Sequence, residues 1–481
     1  MDECVTSIGM PCDGYVVVDE GGRQIELPYA EGEAGYSFHF GDLVYNLRRH
    51  VWNECRTAVT MLEATVTEVL VERVAPCVDR AYGVAYVMRN GANVPELPFA
   101  DVSTARTESV DAGADVYCVA TAPLIVMCDG GSSKFKALHQ HYTPAANYHS
   151  HFVGLIVRNA RLPLERHGTV FFGKNGPILS YRLDPNELRF LVDYNKAALP
   201  SLEEQSRWLT DEIAPCLPAD MRPEFIKAAQ TVLNIRSMPI ACYPAAFPSI
   251  MGYVGIGDHA NQRHPLTGGG MTCAFNDALL LAAKLSAIGD LRATNVATMS
   301  KIQGKLQEAI ISYARARVAH SASINILSWA LYDVFCAPLL RNACLDYFLR
   351  GGEAVSVPMA LLSGLDSRPQ QLLWHYALVM LRGAQSLVTR GGRYGNRDKA
   401  DSFTSNRVNT AKFRVAPSHI YEVFQLLFSA VLVAVPVSYN EFVSLWRLVD
   451  PTGFLAFIFK TARVASYRLS ARGVNGKPVG L

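Results

Sequence analysis

The sequence contains no C-x-x-C pair and almost no excess of one charge: 45 lysines and arginines face 43 aspartates and glutamates, a formal net charge of +2. The first absence excludes the usual zinc spacings, and the 11 scattered cysteines, an odd number, do not suggest a disulfide framework. They are expected to be small buried residues in a reducing compartment. The second absence argues against a dedicated nucleic-acid binder, which carries a strong basic excess. Charged residues are scarce altogether, at 18% of the chain, against 50% hydrophobic ones. At 481 residues the chain has material for about two or three domains. Its opening, Met1-Asp2-Glu3-Cys4, lacks the basic start and apolar core of a signal peptide.

What is present reads as alternating strands and helices. Tyr15–Val18 and Gln24–Leu27, around Gly21-Gly22, predict a β-hairpin. Leu43, Leu47 and Val51 repeat on one face of a helix over 41–56. Strands are expected over 59–71, 81–88 and 116–128, with a polar insertion at 89–115. Four short strands over 152–192 have antiparallel spacing, and two helices follow at 201–214 and 223–233. The chain then returns through strands at 237–242 and 250–256. From about residue 294 helical patterns dominate, with Leu327, Leu331 and Val334 on one face. A basic stretch at 385–417 precedes the apolar run Leu426–Val437, which falls short of the roughly 20 residues that cross a bilayer. An interfacial helix beside basic residues fits that run better.

The most specific stretch is Gly257–Thr272, between the strand-like Tyr253–Ile256 and the helical pattern Ala274–Ile288. Asp258 can accept hydrogen bonds from sugar-alcohol hydroxyls. Gly268, Gly269 and Gly270 let the backbone approach a flat ring, and free N–H groups at a helix start favour negative charge. A tight loop before a helix explains one or two glycines, but not Asp258, His264-Pro265 and the triplet together. Gly255–Ala260 also matches G-x-G-x-x-A, weakly, because Asp258 and Pro265 interrupt the expected turn. A second strand-end acid occurs in Asp129-Gly130-Gly131, followed by Ser132-Ser133-Lys134-Phe135-Lys136.

With these segments in view, the chain resembles the squalene monooxygenase (squalene epoxidase) family. Gly257-Asp258, a spacer with Asn261 and Arg263, and His264-Pro265-Leu266-Thr267-Gly268-Gly269-Gly270-Met271-Thr272 match that family's second flavin motif. Asp129–Lys136 is similar to its middle motif, with Lys136 where an arginine is usual; the charge is kept and the planar fork lost. Ser150–Leu155, Arg236–Pro239, Arg315-Ala316-Arg317, His320-Ser321 and Gly351-Gly352-Glu353 resemble further family segments, so the likeness spans roughly residues 10–365.

The resemblance implies an α/β (α+β) fold of the p-hydroxybenzoate-hydroxylase-like FAD monooxygenase type. It would be divided as a partial FAD-binding domain (1–148, with the 89–115 insertion), an antiparallel substrate sheet (149–243), the remainder of the FAD domain (244–320) and a C-terminal helical membrane-associated region (321–481). It implies a catalytic Tyr15, which from sequence alone reads as a half-buried strand tyrosine. It implies FAD contacts from Arg48, Val66, Asp129, Gly257, Asp258, Pro265, Gly268, Gly269, Gly270 and Met271. Bare patterning reads Arg48 as a surface arginine, Val66 as a core valine and His264 as a residue that shapes its loop. The implied reaction is epoxidation of squalene to 2,3-oxidosqualene with O2, using electrons from an NADPH-dependent membrane reductase. It places the protein at the endoplasmic reticulum membrane, monotopic or multi-pass, in contact with lipid. The family's opening G-x-G-x-x-G unit is not found in this sequence, which reads as an N-terminally truncated version of the fold. The rival expectation is a flavin-free, membrane-associated relic that binds lipid or partner proteins.

Overall fold

The computed structural model describes residues 2–88, 116–139, 150–289, 296–389 and 417–441, apart from 20, 77, 174–175, 197, 242, 244–247 and 249. The 89–115 insertion, most of the 385–417 stretch and everything after 441 lie outside the described residues.

The chain opens with helix α1 (Asp2–Thr6), then strands β1 (Met10–Cys12), β2 (Gly14–Val18), β3 (Gln24–Pro28) and β4 (Gly35–Ser37) and helix α2 (Phe40–Cys55). Strands β5 (Ala64–Ala75), β6 (Val78–Met88) and β7 (Val116–Thr121) form a separate antiparallel sheet. Strand β8 (Ile125–Met127) leads to the short helix α3 (Lys136–His139). The single strand expected over 116–128 is therefore two strands in different sheets. Pro123 lies at the break; Ala122 N–H still donates to Tyr82 O, whereas Ile125 N–H already donates to Gly252 O.

Strands β9 (His151–Arg158), β10 (His167–Phe172), β11 (Pro177–Asp184) and β12 (Glu187–Tyr194) are the four expected antiparallel strands. Helices α4 (Leu202–Trp208) and α5 (Arg222–Gln230) and strand β13 (Arg236–Pro239) follow. Ser201 starts α4 with a capping box closed by Glu204. Seven strands pair in the order β13-β9-β12-β11-β10-β2-β3. The 148/149 boundary does not bound this sheet: the β2–β3 hairpin joins it, because β2 runs parallel to β10 with Tyr15 opposite Gly168. A side chain at Gly168 would meet the Tyr15 ring at 2.9 Å, so the glycine lets the two strands pair with that ring between them.

Side chains alternate across the sheet and both faces are covered. One face, with Val153, Leu155, Ile178, Phe190 and Val192, packs on Leu209 and Phe225 of the α4–α5 layer. The other, with Val17, Leu27, Val170 and Leu179, packs on a helical layer that includes Trp329 and Phe335.

Strand β14 (Tyr253–Gly255) pairs parallel with β8. Helix α6 (Gly270–Ser286) follows the glycine triplet. Helix α7 (Val296–Cys336) is 41 residues long and runs from the glycine loop into the C-terminal bundle of α8 (Pro338–Phe348), α9 (Glu353–Ser363), α10 (Pro369–Thr389) and α11 (Pro417–Glu441). The expected helical C-terminal region is thus present as far as it is described. On α11, Leu426, Ala430 and Val433 are buried, while Ile420, Tyr421, Phe424 and Phe428 are exposed. Among the described residues no single helix is long and apolar enough to cross a membrane.

Candidate active site

The site begins at two neighbouring strand ends. In the parallel pair, Tyr253 lies opposite Ile125 and Gly255 opposite Met127, so Asp129-Gly130 and Gly257-Asp258 leave the same edge together. Gly257 has φ 58°, a left-handed conformation suited to glycine. Its N–H donates to Asp277 Oδ2 on α6 at 2.8 Å. Asp277 is fully buried, 2.8 Å from Arg317 Nε and 3.1 Å from His320 Nε2 on α7. Burial opposes its charge, yet His320, Arg317 and the Gly257 N–H together hold its carboxyl below the usual carboxylate range.

From Asp258 the chain turns through residues fixed by a buried arginine. Arg263 donates to Asn325 Oδ1 at 2.8 Å, to the carbonyl and side-chain oxygens of Asn261 at 3.0 and 2.8 Å, and to the Gly269 and Gly270 carbonyls at 3.4 and 3.3 Å. Gly268 closes the turn in a left-handed conformation, φ 65° and ψ 2°. Gly269 packs on Ile324, where an added Cβ would lie 2.5 Å from Cγ2. At Gly270 a Cβ would meet nothing nearer than Arg263 Nη1 at 3.8 Å, so the backbone at the start of α6 is open. The first N–H groups of α6 have no intrahelical acceptor.

His264 does not face this opening. It is buried beside Trp329 and Phe152 and stacked on Tyr332 at 4.1 Å, and its Nδ1 accepts from Leu266 N–H. Burial pushes its pKa down to about 3, so the ring is neutral and shapes the loop. Tyr332 in turn donates to Asp193 Oδ2 at 2.9 Å, and Ser150 donates to Oδ1 at 2.5 Å. Asp193 belongs to β12, so this chain of contacts ties the seven-stranded sheet to the glycine loop.

A cavity of about 430 Å³ lies between that loop and the sheet. Pro265, Gly268, Gly269 and Met271 line one side; Tyr15, Tyr29, Leu179 and Leu191 line the other. The Tyr15 hydroxyl lies 3.8 Å from where a Gly268 Cβ would be. Burial, reinforced by Tyr29 and Cys12, raises the Tyr15 pKa well above the ordinary phenol value, so it stays protonated. Tyr29 packs edge-on against it, ring centroids 6.2 Å apart, and burial pushes the Tyr29 pKa up to about 12. The pocket has an apolar body and a phenol at the point where the glycine backbone is bare.

The expected residues Tyr15, Pro265, Gly268, Gly269 and Met271 thus meet at one cavity, with Gly270 beside them at the start of α6. Asp129, Gly257 and Asp258 gather at the strand ends behind it. Arg48 and Val66 are not brought to this cavity: Arg48 is exposed on α2, and Val66 packs on Tyr86, Met88 and Cys118. Lys136 lies 3.8 Å over the Tyr243 ring, its ammonium buried without a hydrogen bond. Burial lowers its pKa against the fields of Asp258 and Asp129. Bare glycine backbone, open helix N–H groups, a hydroxyl-accepting Asp258 and an unpaired ammonium fit a phosphorylated, polyhydroxylated ring cofactor. Sequence reasoning gave no role to Asp277 or His259. Arg263, Arg317 and His320 were visible as parts of family-like segments, but not as partners.

A squalene epoxidase family model matches residues 121–396. Squalene epoxidase 3 of Arabidopsis thaliana is 33% identical over 402 residues, covering 81% of this chain and 68% of its own length. Squalene epoxidase erg1 of Schizosaccharomyces pombe is 33% identical over 400 residues, covering 80% of this chain and 78% of its own. Among solved structures, the flavin-dependent brominase Bmp2 aligns with a TM-score of 0.48 and 13% identity over 75% of this chain and 78% of its own.

Proposed function

Because the chain belongs to the squalene epoxidase family, we propose that it is a flavin-dependent monooxygenase that converts squalene to (S)-2,3-oxidosqualene with O2. The observation that carries this reading is the meeting of Gly268, Gly269 and Tyr15 at one largely apolar cavity. FAD, when bound and reduced with electrons from NADPH, would activate O2, one atom of which enters the alkene while the other leaves as water. The residues here bind and orient. Gly268, Gly269 and Gly270 offer backbone to the ring. Asp258, its side chain 45% exposed, would accept from ribityl hydroxyls, and Lys136, which lies in the fields of Asp258 and Asp129, would supply positive charge to the phosphates. Protonated Tyr15 donates or accepts a hydrogen bond beside the ring without changing charge. Leu179, Leu191 and Leu362 exclude water from the reacting centre and accept a hydrocarbon.

Electrons would come from an NADPH-dependent membrane reductase. Association with the endoplasmic reticulum membrane is supported by the exposed Ile420, Tyr421, Phe424 and Phe428 on α11 and Trp374 on α10, an apolar surface suited to lipid. Incubation of the protein with squalene, NADPH, FAD and a microsomal reductase should yield oxidosqualene by mass spectrometry. Turnover should fall at least about tenfold in Tyr15→Phe if the hydroxyl orders the site. Absence of product from the unaltered protein, with a related epoxidase active in the same assay, would contradict the reading.

A further inference from the structure

His259 lies between the two strand-end acids but follows from neither motif. Its ring is buried, with Nδ1 2.7 Å from Asp129 Oδ1 and Nε2 3.1 Å from the Tyr253 hydroxyl. That hydroxyl also lies 3.2 Å from Phe135 O, in the segment after Asp129. A carboxylate accepts only, so Nδ1 carries the proton and donates. The ring has space because Gly255 has no side chain: a Cβ there would collide with His259 Cδ2. A second contact crosses the same gap, since a Cβ at Gly131 would lie 2.5 Å from Gln262 Oε1. The Asp129–Lys136 and Gly257–Gln262 loops therefore interlock through two side chains of the second loop, each admitted by a glycine. Asp129 is also the exposed member of the pair, its side chain 37% accessible while the His259 ring is closed off. Among the described residues, His259 is the only hydrogen-bond partner of the Asp129 carboxylate.

We propose that His259 is a positioning residue: it fixes the Asp129 carboxylate and draws the Asp129–Lys136 loop against Asp258, so that the two acids and Lys136 form one preformed cup for the phosphate and hydroxyl portion of the cofactor. This rests on the flavin reading and adds to it the device that joins the two loops. The ring touches neither cofactor nor substrate. Its effect passes through Asp129. Among the groups that act on it are Asp129 from the strand end, Tyr253 from β14 and Lys136 from α3; burial lowers its own pKa against Asp129, which raises it.

Two readouts on the full chain test the proposal. Amide exchange over 129–136 in flavin-free protein should quicken roughly tenfold in His259→Ala, since one charge-assisted hydrogen bond is lost. FAD affinity, read by quenching of flavin fluorescence, should weaken by roughly the same factor. His259→Asn, which keeps an N–H toward Asp129, should recover most of both losses, whereas His259→Leu, which only fills the space, should not. Unchanged exchange in His259→Ala, recovery by leucine as full as by asparagine, or no recovery by asparagine would overturn the proposal. If the unaltered chain binds no FAD, the flavin reading fails, and the exchange measurements alone decide whether His259 joins the loops.

Discussion

Beneath α4 and α5 the seven-stranded sheet buries an apolar layer: Val153, Leu155, Ile178, Leu188 and Phe190 are each at most 2% exposed. Around β14 and the glycine loop the interior is polar: His259, Asn261, Arg263, His264, Asp277, Arg317 and Asn325 are all at most 5% exposed. The sheet can absorb small changes by repacking, because apolar contacts are non-directional. The loop cannot, because each buried donor needs a partner in a fixed place. A cofactor that must be held in one pose belongs at the second kind of structure.

The sharpest way to break the comparison is Arg317→Ala. It leaves the Asp277 charge buried and should cost about 3–5 kcal/mol in denaturant unfolding, with loss of flavin affinity because Gly257 is no longer held. Phe190→Ala, in the sheet, should cost a similar ~3–5 kcal/mol, yet leave the flavin affinity of the folded protein within about twofold. If both variants lost flavin equally, the division between the two regions would be false.

A smaller effect comes from the link between the regions, where Asp193 and His264 titrate in opposite senses. His264 is pushed down to about 3, so the unfolded chain takes up a proton first and this contribution is lost as pH falls from 6.5 toward 3. Asp193 is pushed up to about 6, chiefly by burial and against the Ser150 and Tyr332 hydrogen bonds. There the folded state holds its proton longer, so stability falls as pH rises from 3.8 toward 6. Asp193→Asn should therefore steepen the acid-side loss of stability, by about 3 kcal/mol at most. His264→Phe should flatten it. Urea midpoints between about pH 4 and 7 measure both slopes. The least of these effects is Gly269→Ala. Its new methyl would press on Ile324 and should cost about 1–3 kcal/mol, with a matching drop in thermal midpoint.

The same division explains what could be read in advance. The β2–β3 hairpin, the four antiparallel strands and α2 follow from local periodicity and turn residues, and they stand where expected. The glycine loop was legible because its residue types are unusual in one short stretch. The parallel pairing of β2 with β10 was not, since nothing in Tyr15–Val18 names a partner about 150 residues away. Nor were the clamps around the loop. Arg263 meets Asn325 across 62 positions, and Asp277 meets His320 across 43. A buried arginine and an exposed one look alike until the helix that covers them is in place. Arg48 shows the converse: its local pattern reads as the surface of α2, and it is exposed there.

A flavin enzyme built on this chain requires the Asp258 loop and the Asp129 strand end to hold the cofactor. Titration of the purified chain with FAD, followed by fluorescence quenching and the visible absorption band, tests it directly. The account predicts saturable binding of about one FAD per chain, weakened at least about tenfold by Asp258→Ala as one set of carboxylate hydrogen bonds is lost. No saturable binding by the unaltered chain, or the same affinity in Asp258→Ala, would contradict it.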